Sequence, residues 1–143
     1  MPSTPTPLHG ELTVQAARLV RLIRREHTST AGLRVLSTLD ELGPQSVTAL
    51  AQADHCSQPT MTGQVRHLAD LGWVTKEPHP ADARSSLVAL TPAGRAELDR
   101  VRRLNAELVA DRLAHHPDLT THDLATAVAV LKAVLDLPRE GTS

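Results

Sequence analysis

Apolar positions recur at helical intervals along most of the chain and alternate in only one short stretch. Leu12, Ala16, Leu19 and Ile23 follow a four-three-four spacing that puts them on one stripe, predicting a first helix over 8–27. A second helix, over 30–42, carries Leu33, Leu36, Leu39 and Leu42 and stops at the breaker pair Gly43-Pro44. Ser46 can cap a short helix running to about Asp54, and Asp54-His55-Cys56 makes a turn. Ser57 then caps a further helix with Pro59 in its first turn, where no amide is missed. That helix continues through Leu71 to a Gly72 C-cap, with Met61, Val65, Leu68 and Leu71 as its apolar stripe.

The alternating stretch follows. Residues 73–77 and 87–90 are two short β-prone runs, joined by a turn containing Pro78, Pro80 and Asp82. Thr91-Pro92 opens a long helix to about His115, with Leu98, Val101, Leu104 or Asn105, and Leu108 facing inward. Thr120 with Asp123 three residues later resembles a capping box for a last helix, which over 124–135 is apolar on nearly all sides.

Helix, turn, helix and hairpin in that order describe a winged helix. The predicted fold class is therefore mainly α with a small β-wing: a winged helix-turn-helix module flanked by dimerisation helices. The expected organisation is a single domain over 8–137 between tails at 1–7 and 138–143. The DNA-binding module takes 28–94, and the helical dimerisation region takes 8–27 and 95–137. A monomer would waste the apolar surface of the last helix, so a homodimer is expected, with an interface shared by the first helix and the end of the fifth.

The 57–71 helix has the makings of a reading helix. Outside its apolar stripe lie Ser57, Gln58, Thr60, Thr62, Gly63, Gln64, Arg66 and His67, short and polar at the N-terminal end, so the helix can enter a major groove. Gln58 or Gln64 suits an adenine edge, and Arg66 a guanine or a phosphate. A polar helix face alone is most often merely solvated. The wing beside it changes the balance, because Arg84 sits on an exposed turn from which it can reach a narrow, negative groove.

Charge qualifies this picture. The net charge of the 143 residues is −1, and residues 28–94 carry four Lys/Arg against six Asp/Glu. Any DNA surface must be local, built on Arg66, Lys76 and Arg84 and doubled by a second subunit. Arg18, Arg21, Arg24 and Arg25 lie near one another on the far side of the first helix from its apolar stripe; they read as a solvated face, with phosphate or inter-subunit contact as the alternative. Trp73 is the single member of the Phe/Tyr/Trp set, so the core is aliphatic and stacking on bases is not the expected mode.

Asp82-x-Arg84 followed by Val88-x-Leu90-Thr91-x-x-Gly94 resembles the wing signature of the MarR family of winged-helix transcriptional regulators. Ser57-x-Pro59-Thr60-x-Thr62 and Leu68-x-x-Leu71-Gly72-x-Val74 resemble that family's recognition helix and its exit, and the likeness runs from about Leu8 to Leu137. The resemblance implies that residues 57–66, Pro59 and Gly63 included, read the major groove of double-stranded DNA. It implies too that Arg84 enters the minor groove and that Asp82 helps to position it. A homodimer would set two such helices about one helical turn apart on a near-palindromic operator. Repression, with release by a small-molecule effector, is the mode implied. With no Phe or Tyr, a pocket that stacks an aromatic effector would depend on Trp73 or histidine.

The remaining chemistry is thinner. Cys56, the single cysteine, precedes a helix N-terminus where a thiolate is favoured, which makes a redox-responsive regulator an alternative; a small residue packed in a turn is the simpler account. His115-His116 with His122 or Asp118 is the densest group of the eight histidines, but without a His-x-x-x-His or a cysteine pair no metal is expected, and no cofactor. Ser85 or Ser86 with His79 and Asp82 crowd onto one exposed turn without an oxyanion hole, so no enzyme is expected. No apolar run reaches the ~18 residues needed to span a bilayer, and a cytoplasmic location is expected. The acidic balance of 28–94 keeps one other alternative open, a helical dimerisation or adaptor protein that retains the fold without DNA binding.

Overall fold

An aliphatic core forms where the leucine stripe of the helix predicted over 30–42 meets the stripe of the helix predicted over 57–71. Val35, Leu36, Leu39, Leu50, Ala51, Met61, Val65, Leu68, Val74, Val88 and Leu98 make one cluster, with Leu36, Met61, Val65 and Val88 fully closed to solvent. The structure is a computed structural model, and it describes residues 3–26 and 32–136. Its elements are α1 (Pro7–Glu26), α2 (Gly32–Leu42), β1 (Gln45–Ser46), α3 (Val47–Ala53), α4 (Gln58–Asp70), β2 (Val74–His79), β3 (Asp82–Leu90), α5 (Pro92–Leu113) and α6 (Thr121–Leu135). The expected helix limits at 27 and 30 and the tail at 138–143 lie outside the described residues.

The chain divides into two compact units, Met1–Arg103 and Leu104–Ser143, with the division falling within α5. In the first, the strands form an antiparallel sheet in the order β1-β3-β2. β3 is central: Val88 pairs with Gln45 on one side and with Lys76 on the other.

The wing is longer than its expected runs of 73–77 and 87–90. Pro78 lies within β2 opposite Ser86, and Asp82 opens β3 opposite His79, which leaves only Pro80 and Ala81 for the turn. Pro78 belongs there because β2 is an edge strand, where a missing amide donor need cost no ladder bond. β1 is a two-residue strand of which no periodicity gave warning.

Local capping explains most element boundaries. The Asp54-His55-Cys56 turn is made by His55 in the left-handed region at φ 50°, a conformation that strains a side-chain-bearing residue. α4 ends one residue before its expected limit. Leu71 is its C-cap and is exposed rather than part of the stripe, and Gly72, at φ 78°, makes the exit. Thr91 Oγ1 donates to the Gly72 carbonyl at 2.6 Å and accepts from the Gly94 amide at 3.0 Å, so one hydroxyl ties the end of α4 to the first turn of α5. Gly94 is required in that turn, since a Cβ would run into the Trp73 carbonyl.

Asp40 on α2 holds both Arg95 and Arg102 on α5, the latter at 2.8 Å. The hydrogen bond from Arg102, then that from Arg95, keeps its carboxyl below the usual carboxylate range. Leu98 and Val101 of α5 are buried as expected, and Leu104, Asn105 and Leu108 are half-buried. α5 ends at Leu113, short of the expected His115.

In the second unit the expected capping box is formed. Thr120 Oγ1 accepts from the Asp123 amide at 3.3 Å, and Asp123 Oδ2 accepts from the Thr120 amide at 2.8 Å. The Thr120 backbone bond and then its hydroxyl hold the Asp123 carboxyl below its ordinary range. α6 itself buries no residue, and Leu124, Val128, Val130, Leu131, Val134 and Leu135 all stand exposed.

Candidate nucleic-acid interface

Two helix starts and a wing converge on one side of the first unit. Ser46 caps α3 by accepting from the Ala49 amide at 3.1 Å, and Ser57 caps α4 by accepting from the Thr60 amide at 3.2 Å. Met61, Val65 and Leu68 anchor α4 in the core, which leaves its remaining faces to solvent and to the wing.

Between the starts of α3 and α4 and the wing lies a polar cleft of about 370 Å³. Gln58 and Thr62 of α4 meet Lys76 of β2 and Arg84 of β3 there, with Thr48 and Ser86 completing the wall. A second, shallower groove of about 430 Å³ runs along the outer face of α4, bordered by Gln58, Pro59, Thr62, Gly63 and Arg66. Gln58 and Thr62 belong to both, so the two grooves share an edge.

Arg66, Lys76 and Arg84 are exposed, and none is in an ion pair among the described residues. Lys76 and Arg84 line the cleft and Arg66 the outer groove, three cations without an ion pair among the described residues, on a chain of net charge −1. Asp82 acts on the backbone of the wing: its Oδ1 accepts from the Arg84 amide at 3.0 Å, which fixes the start of β3 just past the Pro80-Ala81 turn, so that Arg84 stands on the strand rather than on the turn expected for it. His79 Nδ1 accepts from the Ala81 amide at 3.0 Å and holds the other side of the same turn.

Some expected site residues are otherwise engaged. The Ser57 hydroxyl serves the helix cap and donates to Thr60 Oγ1 at 2.8 Å, and Thr62 Oγ1 donates to the Gln58 carbonyl at 2.9 Å. Gln64 is half-buried, with Oε1 closed to solvent and without a hydrogen-bond partner. Conversely, Ser46, Thr48, Ser85 and Ser86 line the cleft although none was expected there. The signal available was Ser46, legible as a cap; its place beside the wing depends on β1 pairing with β3.

Cys56 is half-buried against the core cluster, and its amide donates to the Ala51 carbonyl at 3.0 Å. No group of three or more His, Cys, Asp or Glu side chains among the described residues is arranged to hold a metal ion. No described helix is long and apolar enough to cross a membrane.

The sequence pattern of the MarR family matches residues 28–86, from the start of the module to the wing. An HTH-type transcriptional regulator of Mycobacterium bovis is 32% identical over 133 residues, covering 90% of this chain and 93% of that protein. The chain belongs to the MarR family. A second such regulator, from Mycobacterium leprae, is 34% identical over 110 residues, covering 74% of this chain and 77% of its own. Apo MarR of E. coli superposes with a TM-score of 0.67 at 25% identity, over 94% of this chain and 99% of that one. A cysteine-to-serine mutant of the same MarR, in complex with operator DNA, gives 0.57 at 25% identity over 90% of this chain and 91% of that one. A transcriptional regulator of Thermotoga maritima, at 21% identity and a TM-score of 0.67 over 90% of this chain and 92% of that one, shares the fold. The protein is thus a MarR-family transcriptional regulator, and the relatives it matches are regulators rather than enzymes.

Proposed function

We propose that the protein is a dimeric repressor that holds a near-palindromic operator in double-stranded DNA and releases it on binding a small-molecule effector. One observation carries the reading: the cleft in which Gln58 and Thr62 of α4 meet Lys76 and Arg84 of the wing, uncompensated by any carboxylate in an ion pair among the described residues. The operator complex of the similar E. coli MarR supports it.

In this reading α4 enters the major groove by its N-terminal half. Gln58, Pro59, Thr60, Thr62, Gly63 and Arg66 face bases and phosphates, and Ser57 orients the helix end as its cap. Arg84 reaches into the adjacent minor groove and Lys76 meets the backbone between them. Gln64, with its carbonyl turned away from solvent, takes the lesser part. Dimerisation uses the exposed apolar side chains of α6, together with α1 and the end of α5, and doubles each contact by symmetry.

Binding of the purified protein to fragments of its own upstream region, measured across a range of salt, tests this. The expected result is an affinity that falls steeply with salt, and Arg84→Ala should weaken it by about 1–3 kcal/mol per half-site. Absence of binding at low salt, with no change in Arg84→Ala, would overturn the reading in favour of an adaptor that keeps the fold without DNA, as the acidic balance of 28–94 would then suggest.

A further inference from the structure

The basic side of α1 stands apart from the proposed DNA surface. Arg18, Arg21, Arg24 and Arg25 alone border a groove of about 450 Å³. On a helix they fall within roughly a third of a turn of one another, and Arg18 to Arg25 spans on the order of 10 Å along the axis. Leu12, Ala16 and Ile23, which are half-buried, occupy the opposite side.

Four arginines elsewhere in the protein are matched with acids. Arg34 is held by Asp54 at 2.9 Å, Arg100 by Glu97 at 2.6 Å, and Arg95 and Arg102 share Asp40. The four on α1 are all exposed and meet no carboxylate among the described residues; Arg18 reaches only Gln15 Oε1, at 3.5 Å. The helix dipole favours Arg24 and Arg25, which lie in the last turn. It does nothing for Arg18 and Arg21, about two turns and one turn earlier, where like charges three and four residues apart oppose helix formation. A self-repelling set that lines a concavity of its own is relieved by an anion. Guanidinium forks on successive turns match the oxygens of linked phosphoryl groups better than those of a single one.

We propose that this face of α1 binds an oligophosphate anion, either inorganic or carried on a nucleotide. The site requires neither DNA nor the contacts assigned to α4 and the wing, so it stands or falls apart from the repressor reading.

Calorimetric titration of the DNA-free full-length protein with tripolyphosphate tests it. The expected result is saturable binding of one anion per chain, weakened by salt and at least tenfold tighter than orthophosphate. The double variant R18Q/R21Q should lose at least tenfold in affinity and R24Q/R25Q should lose a similar factor, each with an unchanged circular dichroism spectrum, whereas R66Q/R84Q should bind as the parent does. Having two variants guards against one failing to fold. Adenosine triphosphate binding equally would point to the phosphates alone; tighter binding would show that the nucleoside adds contacts, and both results support the site. The proposal is overturned if titration does not saturate, if both α1 variants bind as the parent does, or if R66Q/R84Q removes binding as completely. It is overturned as well if the α1 variants weaken only duplex DNA, which would make this face part of the DNA surface.

Discussion

From α2 to β3 the chain closes over its large apolar side chains, Leu42 and Leu71 excepted, whereas α6 leaves every one of its own in solvent. Leu36 is 0% exposed and Val134 is 61% exposed, although both are aliphatic residues on amphiphilic-length helices within one small protein. The difference separates two jobs for the same chemistry. A core that is complete within one chain sets the shape of the proposed reading surface, and the apolar helix left open is the surface proposed to take a second chain.

The sharpest way to break this contrast is to cut into the closed side. Leu36→Ala should cost about 2–5 kcal/mol in urea unfolding, because Leu36 is fully buried in the core cluster. Leu131→Glu on the open side should instead convert dimers to monomers in sedimentation and make the urea midpoint independent of protein concentration. Operator affinity should then fall by about a hundredfold or more, since two half-sites would no longer be held together. If Leu131→Glu stayed dimeric, α6 would lose its assigned part.

Thr120→Ala is a smaller cut. Loss of the α6 cap should cost about 1 kcal/mol, read as faster amide exchange in α6 with the amides of α2 and α4 unaltered. The smallest expected effect is a pH dependence. The Asp40 carboxyl has its pKa depressed in the folded state, so its stabilising bonds are present above the ordinary carboxylate range, near ~4, and are lost as pH falls through the folded value. In Asp40→Asn the urea midpoint should lie below the parent's at pH 7, and the two should converge in acid. A gap that persisted at low pH would show that Asp40 acts by shape rather than charge.

The helices were legible because their signals are local. Ser46, Ser57 and Thr120 each cap a helix as their hydroxyls and spacing suggested, and Leu36, Leu39, Met61, Val65 and Leu68 are buried as their spacing required. The sheet was less so. Strand length depends on what lies opposite, and nothing near Pro78 reveals that Ser86 will pair with it or that β1 will add a third strand. The same limit applies to the candidate site. Arg84, Lys76 and the polar face of α4 could be named singly, but Thr48 and Ser86 enter the cleft only through that pairing. Leu71 and Gln64 depart from helical arithmetic for opposite reasons. Leu71 lies just past the last turn and turns out, and Gln64 lies beside the stripe and turns partly in.

Thr91 gives the module its mechanics. Its hydroxyl grips the Gly72 carbonyl on one side and the Gly94 amide on the other, with Gly94 itself pressed against the Trp73 carbonyl. The exit of α4 and the first turn of α5 are therefore held by a single hydroxyl, so removing it would release two helix ends at once.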